Sequence, residues 1–250
     1  MKMNAMKKKI HISIDDTINI FEDLNANQNY YDSIFANRTL NLLKILHDNY
    51  NMIFHLYCFC ENMNASFKLK LCTDKFRKEF KKNKNWLKIN FHGKNGNANL
   101  DDINISEFRN LFCNFKKQIK RICGLNLSHS TRLHNYTASS EQLAFLAKSK
   151  VDKLFVSESD NIESYKLTKT EMNIVKKNGY YYSSEYRMKF VNVHIRLDNC
   201  NNVLKEMEKV NNNSIYIYMH EWMFFDDFDK MKSDLISIGE WRKERKYRFI

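Results

Sequence analysis

His11-Ile12-Ser13-Ile14-Asp15-Asp16-Thr17 is the stretch whose reading decides the fold. A short apolar, β-branched run ends abruptly in two carboxylates. On a strand, neighbouring side chains point to opposite faces. Past the strand end that constraint relaxes, and both carboxylates can turn into one pocket. Two like charges that close repel each other unless one of them binds a cation. The pair therefore points to a metal site near the N-terminus and prompts a search for its other ligands.

Working outward from Ile10 to Ile14 as the first strand, strands and helices alternate. Leu40, Leu43, Leu46 and Tyr50 recur at near-helical spacing, which predicts a helix over roughly Thr39 to Asn49. Met52 to Cys60 reads as a second strand, Asp74 to Lys84 as a helix, and Trp86 to His92 as a third strand. Phe108, Leu111, Phe112, Phe115, Ile119 and Ile122 follow the i, i+3, i+4, i+7 pattern of a long helix that Gly124 would stop. Ser139-Ser140-Glu141-Gln142 can form a capping box opening a helix to about Lys148, and Lys153 to Ser157 is another strand. Tyr180 to Asp198 reads as a pair of strands or an insertion. Val203 to Val210 is a short helix, Ser214 to His220 a last clear strand, and Phe228, Met231, Leu235 and Ile238 mark a closing helix. Strands separated by helical patterns predict βαβ units and a parallel sheet. No linker or repeat divides the 250 residues, so a single α/β domain over 1–250 is expected, of a size common for α/β barrels.

In a parallel barrel the C-terminal strand ends share one face, where active sites are built. Asp15 and Asp16, His92, and His220 each close an apolar strand. One strand-end histidine is usually structural, but three strand ends supplying Asp, Asp, His and His point to a shared site. His134 joins them from Thr131-Arg132-Leu133-His134-Asn135-Tyr136, where alternation puts Arg132 and His134 on one face. His11, His47, His55, His129 and His194 lack such placement and read as structural.

The net charge of +12 admits nucleic acid, acidic glycans or anionic lipid as partners. The lysines are spread along the chain, however, and the densest cluster, Lys75 to Lys88, interleaves Phe76, Phe80 and Trp86 like a solvated helix face. With no clustered stripe or known motif, nucleic acid is not expected as a partner. Cys58, Cys60, Cys72, Cys113, Cys123 and Cys200 include no CxxC pair, which argues against a zinc knuckle and for buried free thiols in a reducing compartment. Met1 to Lys9 has charge but no apolar core, and no run approaches 18 apolar residues. A cytoplasmic protein without a membrane span is expected.

At these residues a family resemblance becomes visible. Ile14-Asp15-Asp16-Thr17 resembles the T/S-F-D-D-G motif of the polysaccharide deacetylases, the NodB-homology or carbohydrate esterase 4 group. The strand ending in His92 is similar to that family's H-S/T-x-x-H motif, Thr131 to Tyr136 to its arginine-bearing motif, and Ile217-Tyr218-Met219-His220 to its Leu-x-His at a strand end. The ordered set covers nearly the whole chain. The resemblance implies a distorted (β/α)7-type barrel binding one divalent metal, with Asp15 as general base, Asp16 and His92 as metal ligands, His220 as catalytic acid and Arg132 orienting the base. The chain departs from the pattern in three places. Gly96 stands where the second motif has its second histidine, Thr17 where the first has glycine, and the proline of the third motif is missing. His134 is the residue available to supply the third ligand.

One carboxylate and two imidazoles suit zinc with an open fourth position. A metal-activated water would attack an acetamide carbonyl, Asp15 taking its proton and His220 protonating the leaving amine. Tyr136 and Trp222 lie beside these residues and can pack on a sugar ring or belong to the core. The expected activity is removal of an N-acetyl group from an amino sugar or polysaccharide precursor. Three other readings compete. One is an inactive carbohydrate-binding protein on the same barrel. Another is a haloacid dehalogenase-type phosphatase, whose motif separates its aspartates by one residue. The last is a basic nucleic-acid-binding module.

Overall fold

The computed structural model describes residues 8–159 and 161–250. The non-secretory reading of Met1 to Lys9 falls mostly outside these residues. In chain order, β1 (Lys8–Thr17) is followed by α1 (Asn19–Ala26), α2 (Arg38–Tyr50), β2 (Phe54–Phe59), α3 (Arg77–Lys82) and β3 (Leu87–Gly93). Next come α4 (Ile105–Cys123), β4 (Ser130–Thr131), α5 (Ser140–Lys148), β5 (Lys153–Phe155), α6 (Lys169–Asn178), β6 (Tyr180–Ser183) and β7 (Met188–Val191). The chain closes with β8 (Ile195–Arg196), α7 (Val203–Lys209), β9 (Ser214–His220), α8 (Met223–Asp226), α9 (Phe228–Lys243) and β10 (Tyr247–Phe249).

The expected parallel α/β architecture is present. One sheet runs β3-β2-β1-β9-β8, with β10 also pairing β1, and all of these pairs are parallel. The second runs β4-β5-β7-β6 and is parallel except for the β6–β7 hairpin. The segment from Tyr180 is thus a pair of strands rather than an insertion. The two sheets face each other around a common interior, where Tyr57, Phe155, Val191, Val193 and Tyr218 form one buried cluster drawn from both. Side chains bridge the β3–β4 gap: Asn90 donates to the Ser128 and Ser130 carbonyls, and Thr131 Oγ1 donates to the Phe91 carbonyl. The barrel is therefore distorted, its ladder at this seam reduced among the described residues to one backbone bond, Ser128 N–H to Ile89 O, beside these side-chain bonds.

Outside the strands, Ile10, Ile12 and Ile14 of β1 pack with the helices in the main core. The long helix predicted around Phe112 is α4. Asn104 caps its start by accepting from the Glu107 N–H, and Gly124 ends it in the left-handed region at φ 68°. The capping box at Ser139 and Gln142 is formed. All six cysteines are free, but Cys113 is exposed on the solvated face of α4, contrary to the expectation of buried thiols.

Candidate active site

The strand β1 continues through Asp15, which pairs in register with His220 of β9. The backbone then turns sharply, since Asp16 adopts φ 59° and the β1–β2 register shifts between Ile14 and Thr17. This turn breaks the alternation that would otherwise send the two carboxylates to opposite faces. Asp15 is buried against Arg132, whose Nη1 donates to its Oδ2 at 2.5 Å. The other oxygen, Oδ1, is buried without a hydrogen-bond partner among the described residues and remains an open acceptor. Burial works to lower the Arg132 pKa, but the Asp15 charge overrides it and holds the guanidinium firmly protonated. The guanidinium also lies 3.8 Å from the centre of the Tyr218 ring.

Asp16, His92 and His134 come together. One donor atom from each lies within 4.8 Å of the others. Asp16 Oδ1 is 3.1 Å from His92 Nε2 and 3.6 Å from His134 Nδ1. Two ligands each about 2.1 Å from a tetrahedral zinc would lie about 3.4 Å apart, so these separations suit a shared ion. The second nitrogen of each ring is committed to a backbone carbonyl: His92 Nδ1 to Arg132 O at 2.5 Å, and His134 Nε2 to Gly96 O at 3.1 Å. A carbonyl only accepts, so both of these nitrogens carry hydrogen. The nitrogens facing Asp16 then present lone pairs to a carboxylate unless a cation or extra protons intervene. Burial tends to raise the Asp16 pKa, but without an ion, extra protons on the facing His134 and His92 nitrogens would hold it far below the usual carboxylate range. The donor set therefore fits a divalent ion. Gly96, at the position of the absent family histidine, supplies the carbonyl that orients His134.

Across the site, His220 Nδ1 lies 3.3 Å from both oxygens of Asp198, which also accepts from Arg196 Nε at 2.7 Å. Burial would raise the Asp198 pKa, but the bond from His220 brings it below the ordinary value. The His220 ring stacks on Trp222, with ring centres 5.5 Å apart. Trp222 is 40% exposed and lines a groove of about 350 Å³ with Asp16, Phe59, Asn62 and Met63. Tyr136 is half-buried, its hydroxyl 3.4 Å from that of Tyr218. Asn135 and Tyr136 both have positive φ, a strained turn of the kind that clusters at functional sites.

Three positioning residues were not read from the sequence. Asp198 closes a strand-like run, Ile195-Arg196-Leu197-Asp198, and the strand-end rule applied to that run finds it. Tyr165 holds the Arg132–His134 segment, its hydroxyl accepting from Leu133 N–H and donating to Phe155 O. Glu221 is fully buried. Its carboxylate accepts from the backbone N–H of Ile18, Asn19 and Ile20 and from Asn19 Nδ2, and its own N–H donates to Asp15 O. Neither Tyr165 nor Glu221 has a sequence signature.

No protein-family model matches this chain, and no curated protein matches it significantly. Solved structures do. A peptidoglycan N-acetylglucosamine deacetylase, Bc1960, in complex with an N-hydroxybenzamide is 13% identical with a TM-score of 0.53, over 98% of this chain and 87% of that one. A family 4 acetyl xylan esterase from Clostridium thermocellum, in complex with cobalt, is 12% identical at TM-score 0.52, over 97% and 87%. A 4-α-glucanotransferase from Thermococcus litoralis is 12% identical at TM-score 0.57, over 98% of this chain but 39% of its own. The chain has the fold of the polysaccharide deacetylases. The same barrel also carries other sugar chemistry, so function rests on the site.

Proposed function

We propose that this chain, which folds as the polysaccharide deacetylases do, is a metal-dependent hydrolase removing an N-acetyl group from an amino sugar or polysaccharide precursor. The reading takes residues 1–250 as one catalytic domain and Zn²⁺ as the metal. One observation carries it: two imidazoles, each anchored on a backbone carbonyl, direct their remaining nitrogens at Asp16.

When bound, the ion would polarise the acetamide carbonyl and acidify a water. Asp15 Oδ1, the open acceptor, would take the proton of the attacking water, and Arg132 orients Asp15 through its bond to Oδ2. His220 donates its Nδ1 hydrogen to Asp198, which orients the ring and leaves Nε2 as the nitrogen that would deliver a proton to the departing nitrogen. General acid–base help of this kind contributes about 10²- to 10⁴-fold. Trp222 offers an exposed ring face for a sugar, while Tyr136 is the more enclosed of the two aromatics.

The groove beside Asp16 is walled by Phe59, Met63 and Trp222 with the amides of Asn19, Asn62 and Asn64, and among the described residues no lysine or arginine lines it. Such a wall favours an uncharged sugar over a phosphate-bearing donor. The free thiols are the ground for proposing a cytoplasmic location. Among the described residues no helix is long and apolar enough to cross a membrane. The test is acetate release from N-acetylglucosamine oligomers by zinc-loaded protein. Release that Asp15→Asn abolishes supports the reading. Sugar binding without release favours the inactive barrel, which the glycine at position 96 would suit.

A further inference from the structure

The alternation that carries Asp15 to the C-terminal mouth of the barrel carries other residues to the opposite end. On β1, Lys9 shares the inward face with His11; on β5, Lys153 shares it with Phe155; on β7, Lys189 shares it with Val191. Phe155 and Val191 belong to the buried interior cluster, and the His11 ring lies 4.8 Å from that of Phe155. The three lysines therefore converge on the N-terminal mouth from three strands. They line one recess of about 520 Å³, whose walls also include Asn178, Asn212 and Tyr180.

The cluster is electrostatically costly as it stands. Lys153 and Lys189 are register partners on adjacent parallel strands, an arrangement in which like charges oppose each other. Among the described residues no carboxylate side chain lines the recess. Neither Lys9 nor Lys153 forms an ion pair or side-chain hydrogen bond among the described residues. Asp152, next in sequence to Lys153, lies toward His129 at 3.8 Å and is mostly exposed. Ile250 is near, but its backbone oxygen sits on His55. Burial is the main cause lowering the Lys153 pKa; the Asp152 charge opposes it, and the Lys189 and Lys9 charges add smaller lowering effects. The floor is fixed rather than adaptable: His194 Nδ1 accepts from the Tyr216 N–H, and its Nε2 is 3.1 Å from the Asn212 amide.

We propose that this mouth is a second ligand site, at the far end of the barrel from Asp16, that takes the phosphoryl group of a small phosphorylated molecule between Lys9, Lys153 and Lys189. A dianion with three terminal oxygens matches three ammonium groups arriving from three strands. Lys189 Nζ lies 4.8 Å from the centre of the Tyr180 ring at the rim, and the Asn178 amide lines the wall beside it for the remainder of the ligand. The volume lies within the range of ordinary small-molecule pockets. The recess is concave and local, which fits a small molecule better than a nucleic-acid backbone.

The test is calorimetric titration of the full chain, in low salt with a chelator present, by inorganic phosphate, by glucose 6-phosphate and by glucose. Saturable one-to-one binding of glucose 6-phosphate is expected, with no binding of glucose. Lys153→Met should weaken it by roughly tenfold or more and Lys189→Met by severalfold, while Asp16→Ala leaves it unchanged. Tighter binding of inorganic phosphate than of the sugar phosphate would identify the free anion as the ligand. The exposed side chain of Lys189 provides a variant that does not depend on refolding the interior. The proposal is overturned if neither phosphate compound saturates, if both lysine variants bind as the parent does, or if Lys81→Met/Lys82→Met on α3 weakens binding equally.

Discussion

Asp16 holds its carboxylate toward His92 and His134 because its backbone is left-handed, a conformation that Asp and Asn tolerate better than most residues. Asp16→Asn should therefore keep the turn and the stability of the fold, yet weaken zinc binding by about 100-fold through loss of the only carboxylate in the cluster; zinc titration alongside urea denaturation reads both effects. Arg132 and Asp15 form a pair that is almost wholly buried. Arg132→Met leaves Asp15 uncompensated and should cost about 3–5 kcal/mol in urea denaturation, whereas Arg132→Met/Asp15→Asn together should recover much of that loss. Asp15, Asp16, His92 and His220 were legible because each follows an apolar run whose end is visible in the sequence. Glu221 was not, because its partners are backbone N–H groups roughly 200 residues away in the chain. Glu221→Ala would strand those donors and should destabilise the protein by about 3 kcal/mol, with Glu221→Gln milder by about half, again by urea denaturation.

The same dependence on distant partners explains which elements could be read. The N-cap of α1, Ile18, has no side chain able to cap; Glu221 does that work from the end of β9, so the usual start signal is absent. In contrast, α6 carries a full capping box at Thr168 and Glu171 and stops at Gly179, but it buries little beyond Val175 and so lacks an apolar stripe. The strands were legible as apolar runs, while β4 and β8, of two residues each, are too short to show a period. The inward faces of β1 and β2 bear His11 and His55, ring centres 4.1 Å apart. Burial pushes His55 from its ordinary 6.5 down to about 4, and pushes His11 down as well. Because these folded-state values are depressed, the neutral rings favour the fold above pH 6.5, and that contribution is lost as the pH falls toward 4. Between pH 7 and pH 5 the loss from His55 should be on the order of 2 kcal/mol. A pH series of urea midpoints should show the parent falling more steeply than His55→Gln; parallel curves would remove His55 as the cause.

At the scale of the molecule, the +12 charge does not gather at the proposed catalytic face. The groove beside Asp16 is walled by apolar and amide side chains, and an inward-facing set of lysines lies at the other end of the barrel. Composition registered the excess charge but not this segregation, which arises from strand register across positions as distant as 9, 153 and 189. The turn at His134–Tyr136, rather than a strand, brings His134 to Asp16, with its Nε2 on the Gly96 carbonyl. The measurement that bears most directly on the central claim is zinc stoichiometry and affinity in the parent, Asp16→Ala, His92→Ala and His134→Ala proteins. One equivalent in the parent, none retained by Asp16→Ala or His92→Ala, and at least about tenfold weaker binding by His134→Ala are expected. Zinc held equally by all four proteins would contradict a shared ion at Asp16, His92 and His134.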